Sequence, residues 1–136
     1  MTYVDSSALF ALIVAEDASH KAALGAWNEF EDAGEELIFT NYVVSELLAL
    51  LQRRSGMDAA RAAVTRVLPA IRLEWIEPQD HTSAIQALLA ANRRKLSLVD
   101  VSSFVVMRRL GIERAFAFDE HFAEQGFETV PASTGA

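Results

Sequence analysis

Short apolar runs alternate along this chain with longer segments in which apolar residues recur every three to four positions. The short runs predict β-strands at 3–4, 36–40, 72–78, 115–118 and 128–130. The longer segments predict helices at 6–15, 20–33, 41–54, 58–70, 80–94 and 98–110. Because strands and helices alternate, we expect an α/β fold: a three-layer α/β/α sandwich with a central parallel sheet of four to five strands.

Residues at two of these boundaries predict how helices begin and end. Asn41 is the expected N-cap of the helix that runs to Arg54, because its side chain can accept a hydrogen bond from the first turn. Pro69 is expected to stop the helix 58–70, because proline cannot donate a backbone hydrogen bond inside a helix.

The chain has 136 residues without an internal linker or repeat, which predicts one domain over 1–131 and a loose tail at 132–136. It contains no cysteine, so disulfides, thiolate metal sites and a cysteine nucleophile are excluded. It shows neither a signal segment nor an apolar run of about 20 residues. We therefore expect a cytoplasmic protein without a membrane association.

The charges are unevenly distributed. The formal net charge is −7, yet eleven of the 12 Lys and Arg residues lie between Arg53 and Arg114. Two interpretations remain open: a local basic surface for a nucleic acid, or solvated helix C-termini, where basic side chains are favoured. The residues concerned are Arg53, Arg54, Arg93, Arg94, Lys95, Arg108 and Arg109.

Two acids directly follow predicted strands. Asp5 is the first polar residue after the first strand, and Asp119 is the first after the strand 115–118. The carboxyl ends of parallel strands meet at one edge of a sheet, and α/β folds bind their ligands at that edge. We therefore expect both carboxylates there.

Two further acids lie on predicted helices. Asp100 lies in the first turn of the helix 98–110. Glu46 borders the apolar face of the helix 41–54, between Val43 and Leu50. A glutamate in that place must reach solvent, find a partner or bind a positive group.

Each acid also has a structural interpretation. Asp5 and Asp119 can cap the segments that follow them, and Asp100 can form a capping box with Ser97. A cluster of carboxylates, however, repels itself by about 4 kcal/mol for a pair about 4 Å apart at an effective dielectric constant of about 20. Protons or cations must relieve that repulsion, and oxygen ligands favour Mg²⁺ or Mn²⁺. Ions held in this way are suited to the attack of water on a phosphodiester.

Four segments occur in order along nearly the whole chain: YVDSSAL, FTNYVVSELLAL, KLSLVDVSSFVVM and AFAFDEHF. Together they resemble the PIN domain, in particular the VapC-type toxins of prokaryotic toxin–antitoxin modules. PIN domains are metal-dependent ribonucleases with a central parallel sheet. The resemblance implies Mg²⁺ or Mn²⁺ as the cofactor and Ser6 and Thr40 as supporting residues. The catalytic and metal-binding residues that it implies are Asp5, Glu46, Asp100 and Asp119.

The roles that follow from this resemblance are specific. Asp5, Asp100 and Asp119 are expected to hold one ion that binds the scissile phosphate and polarises a water molecule. Glu46, with Asp100, is expected to hold a second ion or to orient the attacking water. Some members carry a further acid three residues after the third motif acid, where this chain has Ser103, and this departure puts a complete second metal site in question.

The resemblance also implies partners: an RNA substrate such as tRNA or rRNA, a cognate antitoxin protein and a second copy of the chain in a homodimer. The alternative is a non-catalytic PIN-like interaction module with a structural carboxylate cluster. Haloacid-dehalogenase-like phosphatases are excluded because they need an acid where this chain has Ser7. His121 is interpreted as a surface or packing residue, not as an acid or base.

Overall fold

The computed structural model describes residues 1–132. The strands are β1 (Thr2–Val4), β2 (Leu37–Thr40), β3 (Arg72–Glu74), β4 (Arg114–Phe116) and β5 (Glu128–Val130). The helices are α1 (Ser6–Ile13), α2 (His20–Ala33), α3 (Asn41–Arg54), α4 (Met57–Ala62), α5 (Pro78–Ala91), α6 (Leu98–Leu110) and α7 (His121–Glu124). Of the tail predicted at 132–136, residues 133–136 lie outside the described part of the chain.

The strands form one five-stranded sheet in the order β3-β2-β1-β4-β5. All four pairings are parallel, and Tyr3 in the central strand is in register with Ile38 of β2 and Ala115 of β4. With the right-handed crossovers that parallel βαβ units adopt, this strand order implies α1 to α4 on one face of the sheet and α5 to α7 on the other. The predicted three-layer α/β/α architecture is confirmed, with five strands.

Helices cover both faces of the central strands, as a parallel sheet requires. Tyr3, Ile38 and Phe116 are fully buried, and the apolar sides of α1, α3 and α6 pack against them. The Tyr3 hydroxyl donates a hydrogen bond to Ser103 Oγ at 2.7 Å, which ties β1 to α6 through the core. In residues 1–132 no helix is long and apolar enough to cross a bilayer.

The predicted helix 58–70 is broken into three pieces. α4 is a regular helix only as far as Ala62, a π-helical segment covers Ala63–Val67, and a 3₁₀ turn covers Leu68–Ala70. Pro69 has no amide hydrogen, and its ring would clash with the carbonyl four residues earlier in a continuous helix. The hydrogen-bond register therefore widens ahead of the proline and ends in a tight turn.

The N-cap of α3 differs from the prediction. Thr40 is the N-cap, with its Oγ1 accepting from the Val43 amide at 3.3 Å, and Asn41 is the first helical residue. The Asn41 side chain instead accepts a hydrogen bond from the Ile76 amide at 2.7 Å. That bond draws the chain away from the sheet directly after β3, so the strand predicted at 72–78 ends at Glu74.

The boundaries of α1, α5 and β4 also move by a few residues. α1 ends at Ile13 instead of residue 15, and α5 covers Pro78–Ala91 instead of 80–94, since Asn92 takes a left-handed conformation that ends the helix. β4 covers Arg114–Phe116 instead of 115–118. A short irregular segment therefore separates the end of β4 from Asp119.

Candidate active site

The topology creates a cleft at the carboxyl ends of β1 and β4. The connection after β1 runs toward β2, and the connection after β4 runs toward β5, so the two chain segments diverge at this edge. In open parallel sheets, ligands bind at this kind of switch point. Asp5 lies directly at it, and Asp119 lies three residues past the end of β4.

Asp5 is a buried N-cap with one oxygen unpaired. Its Oδ2 accepts hydrogen bonds from the Ser7 amide at 3.2 Å and the Ser7 hydroxyl at 2.6 Å. Its Oδ1 is buried and has no hydrogen-bond partner within residues 1–132. Burial, with a smaller contribution from the charges of Asp100 and Glu46, raises the pKa of Asp5 to about 7 against the opposing Ser7 hydrogen bonds. The carboxyl group is therefore only partly ionised at neutral pH.

Asp100 lies in the first turn of α6 and is also buried. It forms the predicted capping box: the Asp100 amide donates to Ser97 Oγ, and the Ser97 amide donates to Asp100 Oδ2, both at 3.1 Å. Burial raises the pKa of Asp100 to about 6, and the neighbouring Asp119 carboxylate also raises it, against the Ser97 hydrogen bonds. The capping interpretation is correct, and the capping box uses only the Oδ2 oxygen of this carboxylate.

Asp119 is half-buried, and its Oδ1 accepts a hydrogen bond from the His121 amide at 2.9 Å. Asp100, Asp119 and His121 each offer one ligand atom, and these atoms all lie within 4.8 Å of one another. His121 is only 8% exposed, so it packs against the acids and is not a surface residue. His121 was not among the ligands predicted from the sequence. Its place two residues after Asp119, an acid at the end of a predicted strand, is the feature that could have indicated it.

Glu46 reaches the same edge from α3. It is half-buried, and the hydroxyl of Ser6 donates a hydrogen bond to its Oε1. The polar partner of the Glu46 carboxylate is therefore Ser6, the residue that follows Asp5. Of the two predicted supporting residues, Ser6 contacts an acid directly, whereas Thr40 acts through the helix that carries Glu46, by capping its first turn.

The position expected for a further acid has a structural role. Ser103 is fully buried, accepts the Tyr3 hydrogen bond and donates to the Val99 carbonyl at 3.0 Å. A carboxylate there would have to replace both contacts within the core. Ser103 therefore has a structural role in the core, and it adds no fifth carboxylate to the site.

Four of the basic residues that suggested a nucleic-acid surface are engaged within the molecule. Arg93 pairs with Glu124 at 2.9 Å, Arg108 donates to Gln125 at 2.9 Å, and Arg109 pairs with Asp80 at 2.8 Å. Arg54 lies over the ring of Phe10. For these four side chains, the interpretation as helix-end residues is favoured, with partners on other segments of the fold.

The donor set fits a hard divalent cation. Carboxylates after β1, on α3, on α6 and after β4 lie at this edge, and their charges add to burial, the largest cause, in raising the pKa values of Asp5 and Asp100. Among residues 1–132 no group pairs with Oδ1 of Asp5, which leaves this buried oxygen available to a cation. Carboxylate oxygens of this kind are preferred by Mg²⁺ and Mn²⁺.

Comparisons with known proteins agree along nearly the whole chain. The family model described as PIN domain matches residues 2–128. The 23S rRNA-specific endonuclease VapC20 of Mycobacterium tuberculosis (strain CDC 1551 / Oshkosh) is 37% identical over 131 residues, which cover 96% of this chain and 98% of that protein. The protein of the same name from strain ATCC 25618 / H37Rv matches equally well. A crystal structure of M. tuberculosis VapC20, described as a Sarcin-Ricin loop cleaving toxin, is similar with a TM-score of 0.82 and 36% identity, covering 93% of this chain and 96% of that one.

Proposed function

The chain belongs to the PIN domain family, and we propose that it is the toxin of a toxin–antitoxin system, a metal-dependent endoribonuclease that hydrolyses phosphodiester bonds in structured RNA. The observation that carries this proposal is the cluster of buried acids at the switch point, with Asp5 Oδ1 lacking any partner among the described residues. A purely structural cluster would be expected to pair that oxygen, because an unsatisfied buried acceptor costs about 1–3 kcal/mol.

We assign the roles from the geometry. Asp100 and Asp119, which offer ligand atoms within 4.8 Å of each other, would hold the cation, with Asp5 as the ligand that follows β1. Glu46, fixed by Ser6, would orient the attacking water or hold a second ion. A bound divalent cation supplies charge neutralisation at the scissile phosphate and lowers the pKa of a coordinated water. The protein residues contribute the fixed positions, and burial excludes competing solvent.

The substrate class follows from the relatives. VapC20 is described as specific for 23S rRNA and as cleaving the sarcin–ricin loop. We propose that this chain acts on the same kind of target, an rRNA loop whose unstacked nucleotides can enter a narrow cleft. A ribosomal substrate implies that the protein acts in the cytoplasm, in agreement with the expectation from the sequence.

We also propose the two protein partners that the family implies, a cognate antitoxin and a second copy of the chain. Exposed apolar side chains provide surface for such contacts: Leu89 is 73% exposed and Trp75 is 62% exposed. Contacts with a partner would cover them, as large apolar patches on a soluble protein usually require.

The test is cleavage of intact ribosomes and of protein-free 23S rRNA, with new RNA ends mapped by primer extension. We expect one dominant new end that disappears in EDTA and returns with Mn²⁺ or Mg²⁺. Asp5→Asn and Asp100→Asn should lower the rate at least about a hundredfold, because the cation contributes several kcal/mol to the transition state.

The matched control is Asp58→Asn, which removes a fully exposed carboxylate on α4. This variant should cleave at the rate of the unmodified protein. Undiminished cleavage by Asp5→Asn or Asp100→Asn would refute the proposed mechanism. Saturable cation binding without cleavage of either RNA would favour the non-catalytic module.

A further inference from the structure

His121 lies beside the acidic residues of the site, and the roles proposed for the four acids assign no role to it. It is 8% exposed, and its two ring nitrogens face different groups. Nδ1 lies 3.2 Å from Glu124 Oε2, a hydrogen-bond distance. Nε2 lies 3.9 Å from Asp119 Oδ1, too far for a hydrogen bond. The ring is therefore anchored through Nδ1, while Nε2 lies on the side of Asp119 and has no hydrogen-bond partner among residues 1–132.

The anchor of this ring is itself held in place. Glu124 accepts a hydrogen bond from Arg93 Nη1 at 2.9 Å, so Arg93, Glu124 and His121 form a continuous chain of contacts. A carboxylate that binds one imidazole nitrogen fixes the tautomer and makes the other nitrogen a better electron-pair donor. Metal-ligating histidines almost always have such a partner. A histidine that served only for packing would need neither the anchor nor the free nitrogen.

We propose that His121 is a ligand of the divalent cation through Nε2, together with Asp100 and Asp119, and that Glu124 is its positioning residue. The inference rests on the proposed function, since it concerns the same cation. The three residues each offer one ligand atom, and these atoms lie within 4.8 Å of one another, so that a single cation could contact all three.

The nitrogen ligand has a consequence for metal selectivity. Mg²⁺ strongly prefers oxygen, whereas imidazole suits first-row transition metals, and Mn²⁺ accepts a mixed set. A site made only of carboxylates would distinguish the two ions weakly. With His121 as a ligand, the site prefers Mn²⁺ to Mg²⁺, and this preference depends on a single side chain.

The direct test is electron spin echo envelope modulation of Mn²⁺ bound to the full chain. We expect nitrogen modulation from a coordinated imidazole, and its pattern should change when the protein is labelled with ¹⁵N-histidine. His121→Ala should remove the modulation. The control His81→Ala, which changes an exposed histidine on α5, should leave it intact.

Calorimetry supplies a second readout that does not depend on turnover. His121→Ala should weaken Mn²⁺ binding about tenfold or more, while Mg²⁺ binding changes by less than about threefold. If that variant fails to fold, Glu124→Gln serves instead, because loss of the positioning carboxylate should weaken Mn²⁺ binding about tenfold.

The outcomes separate this inference from the proposed function. Mn²⁺ that binds and supports cleavage without nitrogen modulation would overturn the role of His121 and leave the nuclease proposal standing. An unchanged Mn²⁺-to-Mg²⁺ preference in both variants would also overturn it. A chain that binds neither ion would end the nuclease proposal as well.

Discussion

Single acidic residues at this site combine a structural and a chemical role. Asp5 caps α1 with one oxygen and leaves the other without a partner in residues 1–132, and Asp100 closes a capping box through Oδ2 alone. The two interpretations that the sequence left open for each acid are therefore compatible. The cap orients the carboxylate, and burial makes the free oxygen a strong cation ligand, at a cost to the stability of the metal-free protein.

That cost predicts an unusual pH dependence. Burial raises the pKa of Asp5 from 3.8 to about 7 and that of Asp100 from 3.8 to about 6. Between pH 4 and 7 the folded state therefore binds more protons than the unfolded state, so the free energy of unfolding falls as the pH rises. The raised pKa of His121 acts in the same direction. In EDTA, denaturant titrations should show a less stable protein at pH 8 than at pH 5.

Asp5→Asn isolates this effect. The amide keeps an oxygen for the Ser7 hydrogen bonds but cannot ionise. At pH 8 the free energy of unfolding of the metal-free variant should therefore be higher than that of the unmodified protein by at least about 2 kcal/mol. The difference in free energy of unfolding between the variant and the unmodified protein should become smaller toward pH 5. Asp58→Asn, on an exposed side chain, should change stability by less than about 0.5 kcal/mol at either pH. A metal-free Asp5→Asn variant that is less stable at pH 8 would contradict the raised pKa.

At the scale of elements, one ion pair joins α5, α6 and β3. Arg109 near the end of α6 donates from Nε and Nη2 to both oxygens of Asp80 on α5, at 2.9 and 2.8 Å. Its Nη2 also lies 3.4 Å from Glu74 at the end of β3. The Asp80 side chain is only 4% exposed and accepts from the Glu77 amide as well. The contact therefore fixes how the helix pair packs on the sheet edge.

Breaking this pair from one side should be costly. Arg109→Leu leaves the Asp80 carboxylate buried without its partner, and we expect a loss of about 3 kcal/mol in the free energy of unfolding. Asp80→Asn combined with Arg109→Leu should cost less than the sum of the single changes. Arg61→Leu, which breaks an exposed pair with Asp58, should cost less than about 1 kcal/mol. Equal losses for Arg109→Leu and Arg61→Leu would contradict this account.

The elements also show what a single sequence can predict. Helices α2 and α6 and strand β5 were predicted at their observed bounds, because apolar spacing and a following glycine or proline mark them locally. Asn41 was wrongly predicted as a cap because its partner, the Ile76 amide, is 35 residues away. The π-helical register before Pro69 depends on packing and leaves no pattern in the sequence. The proposed ligand role of His121 was not predicted because it depends on Asp100, which only the fold brings close to it.

At the scale of the whole molecule, the proposed cation couples the site to global stability. A ligand that binds only the folded state at about 100 times its Kd stabilises it by about 2.7 kcal/mol. For a domain of this length that corresponds to a rise in Tm of roughly 8 °C. We expect calorimetric scans at pH 8 to show this rise with Mn²⁺ and to lose it in Asp100→Asn.

In Asp5→Asn, removal of the buried charge should stabilise the metal-free protein, whereas loss of a cation ligand should reduce the stabilisation by Mn²⁺. In EDTA at pH 8, Asp5→Asn should melt at a higher temperature than the unmodified protein, because it lacks the buried charge. With saturating Mn²⁺, only the unmodified protein retains the full ligand set. Its Tm should therefore rise, while the Tm of the variant should rise little. The difference between the two Tm values should then disappear. A gap that stays constant across Mn²⁺ concentrations would mean that Asp5 does not contact the cation. A gap that closes would identify the same carboxylate as the source of instability without the ion and of affinity with it.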